Sequence, residues 1–333
     1  MTAEDTIALS VAQAQDLCEA AALRHGASAL LARSLATAAV RAEAEGLPAV
    51  GLSHFIDYLD ALDAGRIDGR ATPLLTRPAP ALILSDAQGG AAHPGYDLAF
   101  DDLVSTAKTY GMAAFAQRNS FTCGALGPFV SRLADEGLVG LAATNGPPVL
   151  AGSGATKPVF CTNPLAFAAP VAGGPPLLID QASSATAFVS IRQAAREGRS
   201  IPEGWAVDAD GLPTTDPARA VNGALLAFGG ARGANVALMV EVLAAGVTGA
   251  NWSLDAPPFG QGAESPRTGL FVAAVAPRLI DADFPARLAS HLARLADDYG
   301  VYVPGKTRAA ALERSAHNGL TIPKSLHALI LSR

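Results

Sequence analysis

Phe228-Gly229-Gly230-Ala231-Arg232-Gly233-Ala234 is a glycine-rich segment that opens an expected helix. Its glycines let a ligand approach the backbone closely. The helix expected after it offers N-terminal amides to an anion, and Arg232 adds a planar fork that matches a phosphate. Yet it is not the G-x-G-x-x-G turn of ordinary dinucleotide-binding domains. Neither that fingerprint after a strand nor a Walker A sequence occurs elsewhere in the chain. A dinucleotide, if bound, is held on some other fold. A tight loop carrying a solvated arginine is the other reading of the same residues, and it stays open here.

On the N-terminal and C-terminal sides of this segment, apolar runs alternate with helical patterns. Strands are expected over 81–84, 112–117, 138–143, 165–169, 177–179 and 271–275, and helices over 97–110, 236–245 and 285–299. Toward the N-terminus the pattern turns wholly helical. Ser10 and Gln13 form a capping-box pair, the helical run over 10–46 breaks at His25-Gly26, and a further helix covers 52–62. The prolines at 73, 78 and 80 read as a loop. The class is therefore α/β or α+β. The segment 251–267 is rich in Pro and Gly without periodicity, and irregular chain of that length is usually functional.

The chain has 333 residues, half of them apolar and 16% charged, enough for a large core or two interlocked domains. A net charge of −6 without a Lys/Arg cluster excludes duplex nucleic acid as a partner. Cys18, Cys123 and Cys161 are too few and too scattered for a disulfide framework or a zinc motif. The other histidines, His25, His93, His291, His317 and His327, form no ligand spacing, so no catalytic metal is expected. The acidic start Met1-Thr2-Ala3-Glu4-Asp5 lacks signal-peptide character, and no apolar run reaches membrane-spanning length; a cytoplasmic protein is expected.

Several side chains invite a chemical reading. His54, in Ser53-His54-Phe55-Ile56-Asp57-Tyr58, is a candidate proton donor, a role common for histidines, or else a histidine at the core edge. Cys123 precedes Gly124 at a loop–helix junction; without a histidine beside it, a small buried residue is the better reading. Arg118 and Lys157 are candidates to hold a substrate carboxylate, or surface ion-pair partners. Val303-Pro304-Gly305-Lys306-Thr307-Arg308 is a basic turn that offers a phosphate contact or simply faces solvent.

Thr144-Asn145-Gly146-Pro147, Thr162-Asn163-Pro164-Leu165-Ala166-Phe167, Leu178-Ile179-Asp180, Ile201-Pro202-Glu203-Gly204-Trp205-Ala206, Pro213-Thr214-Thr215-Asp216-Pro217 and Phe228-Gly229-Gly230 occur in this order along nearly the whole chain. Together they resemble the type 2 malate/L-lactate dehydrogenase family. The resemblance implies a homodimer with a helical N-terminal part and a non-Rossmann NAD(P)-binding domain. Here the helical domain would be residues 1–75 joined by 285–333, and the cofactor- and substrate-binding domain 76–284. It implies hydride transfer to a small 2-oxo acid of the malate, lactate or sulfolactate type. One branch of the family reduces the cyclic imines Δ1-piperideine-2-carboxylate and Δ1-pyrroline-2-carboxylate instead. A paralogue that binds a dinucleotide without turnover is a third possibility.

Carried over by position, Thr122, Cys123, Gly124, Ala125 and Leu126 would line the cofactor. So would Asp180, Gln181, Ala182, Phe188, Ala231, Arg232 and the turn bearing Pro304, Gly305, Lys306 and Arg308. Thr162 would touch the substrate. Arg232, Lys306 and Arg308 favour NADP over NAD as partners for a 2′-phosphate.

The family's catalytic positions are not matched. Its Ser-His-Gly, nine residues before the tyrosine that aligns with Tyr58, falls on Ala49-Val50-Gly51. Its carboxylate-clamping arginine falls on His54, its relay aspartate on Ser190, and the histidine of its N-S-x-H-x-G segment on Thr122. Setting Ser53-His54 on the Ser-His pair needs a four-residue deletion, which would rotate the helix's apolar face. In both alignments His54 points at the site. It is the expected replacement donor, with Ser53 and Ser190 as relay candidates, Ser120 and Thr122 as substrate-orienting hydroxyls, and Arg118 and Lys157 as replacement clamps.

Overall fold

The computed structural model describes residues 5–333; Met1–Glu4, within the acidic start noted above, lie outside the described residues. The chain opens with strand β1 (Thr6–Leu9) and helices α1 (Val11–Arg24), α2 (Ala29–Ala44) and α3 (Leu52–Asp63). Strands β2 (Leu74–Ala79) and β3 (Leu82–Asp86) lead to α4 (Ala92–Tyr110), β4 (Met112–Ser120), α5 (Gly127–Asp135) and β5 (Val139–Thr144). Next come β6 (Leu150–Ala151), β7 (Pro158–Phe160), β8 (Leu165–Ala169), β9 (Leu177–Gln181) and α6 (Phe188–Glu197). After β10 (Ala206–Val207), α7 (Pro217–Ala220) and β11 (Ala224–Leu225), helix α8 (Ala231–Glu241) runs on as a π-helix (Val242–Val247). The chain finishes with β12 (Thr268–Val275), α9 (Phe284–Tyr299), α10 (Lys306–Asn318), β13 (Leu320–Pro323) and α11 (Lys324–Ser332).

The N-terminal helices form for reasons visible in the sequence. The Ser10 hydroxyl accepts the Gln13 N–H at 3.1 Å and the Gln13 side chain accepts the Ser10 N–H at 2.8 Å, so the capping box is reciprocal. The chain turns at Gly26, with φ +84°, and Ser28 caps α2. In α3 the buried residues Leu52, Phe55, Leu59 and Leu62 recur at helical spacing. They meet α1 and α2 in one core that also takes Leu320, Ile322 and Ile330. Those distant residues arrive because β13 pairs antiparallel with β1, Thr6 opposite Pro323 and Leu9 opposite Leu320.

The second core lies under a seven-stranded sheet of order β2-β3-β4-β12-β5-β8-β9. Only β3 and β4 run parallel in it; the other neighbours are antiparallel. The class is thus mixed α/β without the doubly wound parallel sheet of a Rossmann domain, as the missing fingerprint implies. Helices α4 and α5 pack on the sheet, and the Tyr96 hydroxyl of α4 donates to the Phe129 carbonyl of α5 at 2.6 Å. A small sheet of order β10-β11-β6-β7 carries a third core. Among the described residues no helix is long and apolar enough to cross a membrane.

Three expectations need correction. The helix expected from 97 begins at Ala92: Pro94 falls in the first turn, where its missing N–H leaves no bond unmade. The helix expected over 236–245 runs over Ala231–Glu241 and then loosens into the π-helix. The proline-marked segment before 81 is an edge strand, β2, exposed along its length and irregular between Thr76 and Ala79.

Gly95 shows why the missed helix start sits where it does. A Cβ there would overlap Gln117 Oε1 and stand 2.6 Å from Ser85 Oγ. Gln117 is fully buried and cannot swing aside, since it accepts from Ser85 at 2.8 Å and donates to the Ala92 carbonyl at 2.9 Å. Gly95→Ala is expected to lower stability by about 1–3 kcal/mol, seen as a shifted urea midpoint; an unchanged midpoint would show that α4 can move off the sheet freely.

Candidate active site

Helix α3 starts against α2. The Leu52 N–H donates to Glu43 Oε2 at 2.9 Å, capping a helix whose own N-cap, Gly51, has no side chain. Any Cβ on Gly51 would lie 2.5 Å from that carboxylate oxygen and 2.9 Å from the Glu43 nitrogen. Burial raises the Glu43 carboxyl, and the Leu52 N–H bond opposes that rise. This close approach places His54 on the first turn of α3.

The His54 Nδ1 lies 2.8 Å from Asp57 Oδ2, one helical turn on. The opposite edge of the ring faces Gly124, with Cδ2 3.8 Å from where a Cβ on that glycine would stand. Tyr58 flanks His54, ring centroids 4.7 Å apart at 65°. The Tyr58 hydroxyl is buried without a partner and lies 3.0 Å from the same Gly124 point; burial, then Cys123 and Asp57, push its pKa far up. Gly124 adopts φ +61°, and its N–H donates to Thr122 Oγ1 at 3.3 Å.

Behind Tyr58 sits His93, which no spacing or motif singles out. It is buried, its Nε2 3.0 Å from the Cys123 carbonyl and its Nδ1 without a partner. Burial depresses its pKa from 6.5 to about 4, and nearby His54 and Arg132 press the same way against Asp97 and the Cys123 carbonyl. Cys123 itself is 2% exposed, and burial pushes its thiol up to about 12. At neutral pH it is a protonated, apolar side chain and not a nucleophile.

Segments far apart in sequence converge beside this cluster. Asp180 accepts the Gly127 N–H at 3.0 Å and an Arg308 N–H at 2.9 Å. Gly305, at φ +97°, leaves no room for a Cβ against Leu178 and Pro176, which seats the 303–308 turn on β9. Pro304 is half-buried and Lys306 exposed there. Gln181 is exposed and Ala182 half-buried beyond Asp180. Thr162 is held by its neighbours. Its carbonyl accepts the Ser183 N–H at 2.8 Å, and Asn163, at φ +38°, donates from Nδ2 to the Ala237 carbonyl and to buried Glu241 at 2.7 Å.

The Gly229-Gly230 loop borders a cavity of about 420 Å³ with Gly152, Ser153, Gly154, Gly204 and Ala231. Both glycines have positive φ, 57° and 63°, and nothing lies within 4 Å of an added Cβ. Helix α8 opens there without a side-chain cap, so its first N–H groups are free, and Arg232 is exposed beside them. A small-residue cradle with free amides and a guanidinium fits the phosphates of a dinucleotide.

Other expected residues lie elsewhere. Arg118 pairs with Asp86 at 3.0 Å, and Asn119 Nδ2 donates to the same carboxylate. Burial raises Asp86, but the bonds from Asn119, the Gln88 N–H and Arg118 hold its pKa below the usual value. Ser120 is buried and donates to the Thr268 carbonyl at 3.0 Å, joining β4 to β12. Ser53 is exposed on α3, Ser190 is exposed on the first turn of α6, and Lys157 is exposed between β6 and β7. Phe188 lies under Arg192, 5.2 Å from its guanidinium, against the third core. Among the described residues no recorded contact joins these side chains to His54. Sequence reading missed Asp57 and Glu241. The His-x-x-Asp spacing on one helix face was the available signal for Asp57.

Residues 9–330 match the family described as malate/L-lactate dehydrogenase. A Δ1-pyrroline-2-carboxylate/Δ1-piperideine-2-carboxylate reductase of Pseudomonas putida is 38% identical over 311 residues, covering 92% of this chain and 91% of that protein. A (2R)-3-sulfolactate dehydrogenase (NADP+) of Chromohalobacter salexigens is 35% identical over 96% of this chain and 95% of its own length. The crystal structure of Δ1-piperideine-2-carboxylate reductase from Pseudomonas syringae pvar. tomato superposes with a TM-score of 0.94 at 35% identity, covering 98% of this chain and 99% of that one. The chain belongs to the malate/L-lactate dehydrogenase family.

His93 gives the site a testable pH dependence. Its folded pKa lies below the unfolded value, so its contribution is present above about pH 6.5 and is lost as pH falls toward about 4. Thermal midpoints are expected to drop over that window, and His93→Gln should flatten the drop. An equal drop in the variant would assign the acid sensitivity to other groups.

Proposed function

We propose that this member of the malate/L-lactate dehydrogenase family is an NAD(P)H-dependent oxidoreductase of small 2-oxo or 2-imino acids whose preferred substrate is a cyclic 2-imino acid. The observation that carries the reading is the His54–Asp57 pair, its Nδ1 side held at 2.8 Å and its other edge turned toward Gly124. The relatives named as pyrroline- and piperideine-2-carboxylate reductases support the substrate class. So does the engagement of Arg118 with Asp86, since a sulfonate or a second carboxylate needs a cation of its own.

When bound, a reduced nicotinamide cofactor would supply hydride chemistry at C2 of the substrate. His54 Nε2 supplies the proton to the ring nitrogen, or to the oxygen of a 2-oxo acid. Asp57 fixes the ring by accepting from Nδ1–H and stabilises the imidazolium from which the proton leaves. Thr122 and Thr162 orient the substrate carboxylate. Tyr58 and Phe121 keep water from the donor's inner side. Residues 122–126, Asp180–Ala182 and the 303–308 turn would hold the cofactor, the Gly229-Gly230 cradle would take its phosphates, and Arg232 would favour NADPH.

The proposal takes residues 1–75 with 285–333 as the unit that carries His54, and 76–284 as the unit that holds the cofactor. It also takes the chain as a cytoplasmic homodimer. Three free cysteines accord with that compartment, and exposed Ile280, Leu254 and Tyr302 accord with a covered face. Light scattering at twice 33.7 kDa tests the dimer.

Assays with Δ1-piperideine-2-carboxylate, Δ1-pyrroline-2-carboxylate, sulfopyruvate and oxaloacetate, each with NADPH and NADH, decide the substrate. The highest kcat/KM is expected for an imine with NADPH; turnover of the oxo acids alone would sink the imine reading. His54→Ala should lower kcat about 10²–10⁴-fold. Full activity in that variant would place the proton donor elsewhere.

A further inference from the structure

The irregular segment between Asn251 and Arg267 has no part in the chemistry above, yet it is firmly built. Its neck is closed by the Asn251 N–H donating to the Arg267 carbonyl at 3.1 Å and by Asn251 Nδ2 donating to the Pro266 carbonyl at 3.2 Å. Ser253 donates to buried Glu241 through both its N–H and its hydroxyl, at 2.6 and 2.8 Å. Near the tip, Arg66 donates to the Gly262 carbonyl at 2.9 Å. Close ends and internal ties make this an Ω-loop, a class that often carries function.

Phe259 on this loop turns inward. It is half-buried against the helical core and lies edge-on to Phe121, centroids 5.5 Å apart at 72°. Its Cζ is 2.8 Å from the point where a Cβ on Gly146 would stand, and Cys161 Sγ is 3.0 Å from that same point. The lack of a side chain at 146 is therefore what admits the ring. Phe259 thus packs on Phe121 and comes close to the same Gly146 point as Cys161, and Phe121 and Cys161 are the immediate neighbours of Thr122 and Thr162.

We propose that Phe259 is a specificity-determining wall of the substrate pocket, packing on the ring methylenes of a cyclic 2-imino acid and disfavouring acids with a second anionic group. The inference rests on the reading of the site given above. Ring methylenes gain by leaving water against an aromatic surface, whereas a second carboxylate or sulfonate loses its hydration there. Its neighbours Phe121, Gly146 and Cys161 bring no positive charge to repay that loss.

Binding and kinetics of Phe259→Ala and Phe259→Leu test this. The binding probes are pyrrole-2-carboxylate, a flat ring monoacid, and oxalate, an open dianion, each with NADP+ present. Phe259→Ala should weaken pyrrole-2-carboxylate about tenfold and raise the KM for Δ1-piperideine-2-carboxylate similarly, with kcat within about twofold and oxalate bound more tightly than by the wild type. Phe259→Leu should recover most of the loss. Equal losses for both probes, or unchanged binding of the ring acid, would overturn the wall. A wild-type protein that binds pyrrole-2-carboxylate with this Phe259 dependence but reduces no imine keeps the wall and overturns the activity instead.

Discussion

The Asp180 carboxylate accepts the Gly127 N–H at 3.0 Å and the Arg308 guanidinium at 2.9 Å. Helix α5 has Leu126 at its N-cap and so no side-chain cap of its own. Asp180 fills that role from the end of β9, where a negative charge also suits the helix dipole. Arg308 then balances the charge, since both partners are mostly shielded from solvent. The strand, the helix and the C-terminal turn thus meet at one point. The 122–127 segment owes its place beside His54 to that meeting.

The fold was legible wherever the cause was local. Ser10 and Gln13 announce α1, and the spacing of Leu52, Phe55, Leu59 and Leu62 announces α3. Where the cause was distant, the sequence was silent. Strand β1 has four residues and no visible partner until β13 supplies one. The start of α4 at Ala92 makes sense only once Gln117 of β4 shows why nothing larger than Gly95 fits. The pairing of Arg118 with Asp86 depends on parallel register between β3 and β4, which puts the two residues opposite each other. No spacing rule reports that register.

The candidate site divides along the same line. His54 is the proposed donor because the family's acid–base residues fall on Val50, Thr122 and Ser190, leaving one histidine nearby. Asp57 was legible in principle from helix geometry alone. His93 and Glu241 were not, because each acquires meaning only from what buries it: His93 from the Cys123 carbonyl, Glu241 from Ser253 and Asn163. Both hold backbone in place, and backbone contacts leave no signature in residue type. On the proposed reading, the cofactor cradle and the proton transfer are two separate layers of the site. The cradle depends on glycines and free amides, whereas proton transfer depends on one side chain within reach.

The pairing of β1 with β13 has a consequence for how the molecule is made. The core under α3 is closed by Leu320, Ile322 and Ile330, which a ribosome delivers long after the helix itself. Until they arrive, the surface behind His54 is an open apolar slot. The helical unit therefore cannot finish as an early autonomous module, although most of its residues come first. Its completion waits on high-separation contacts, which fold slowly and expose the intermediate to aggregation. Closure of this core thus comes after the strands of the large sheet have been made.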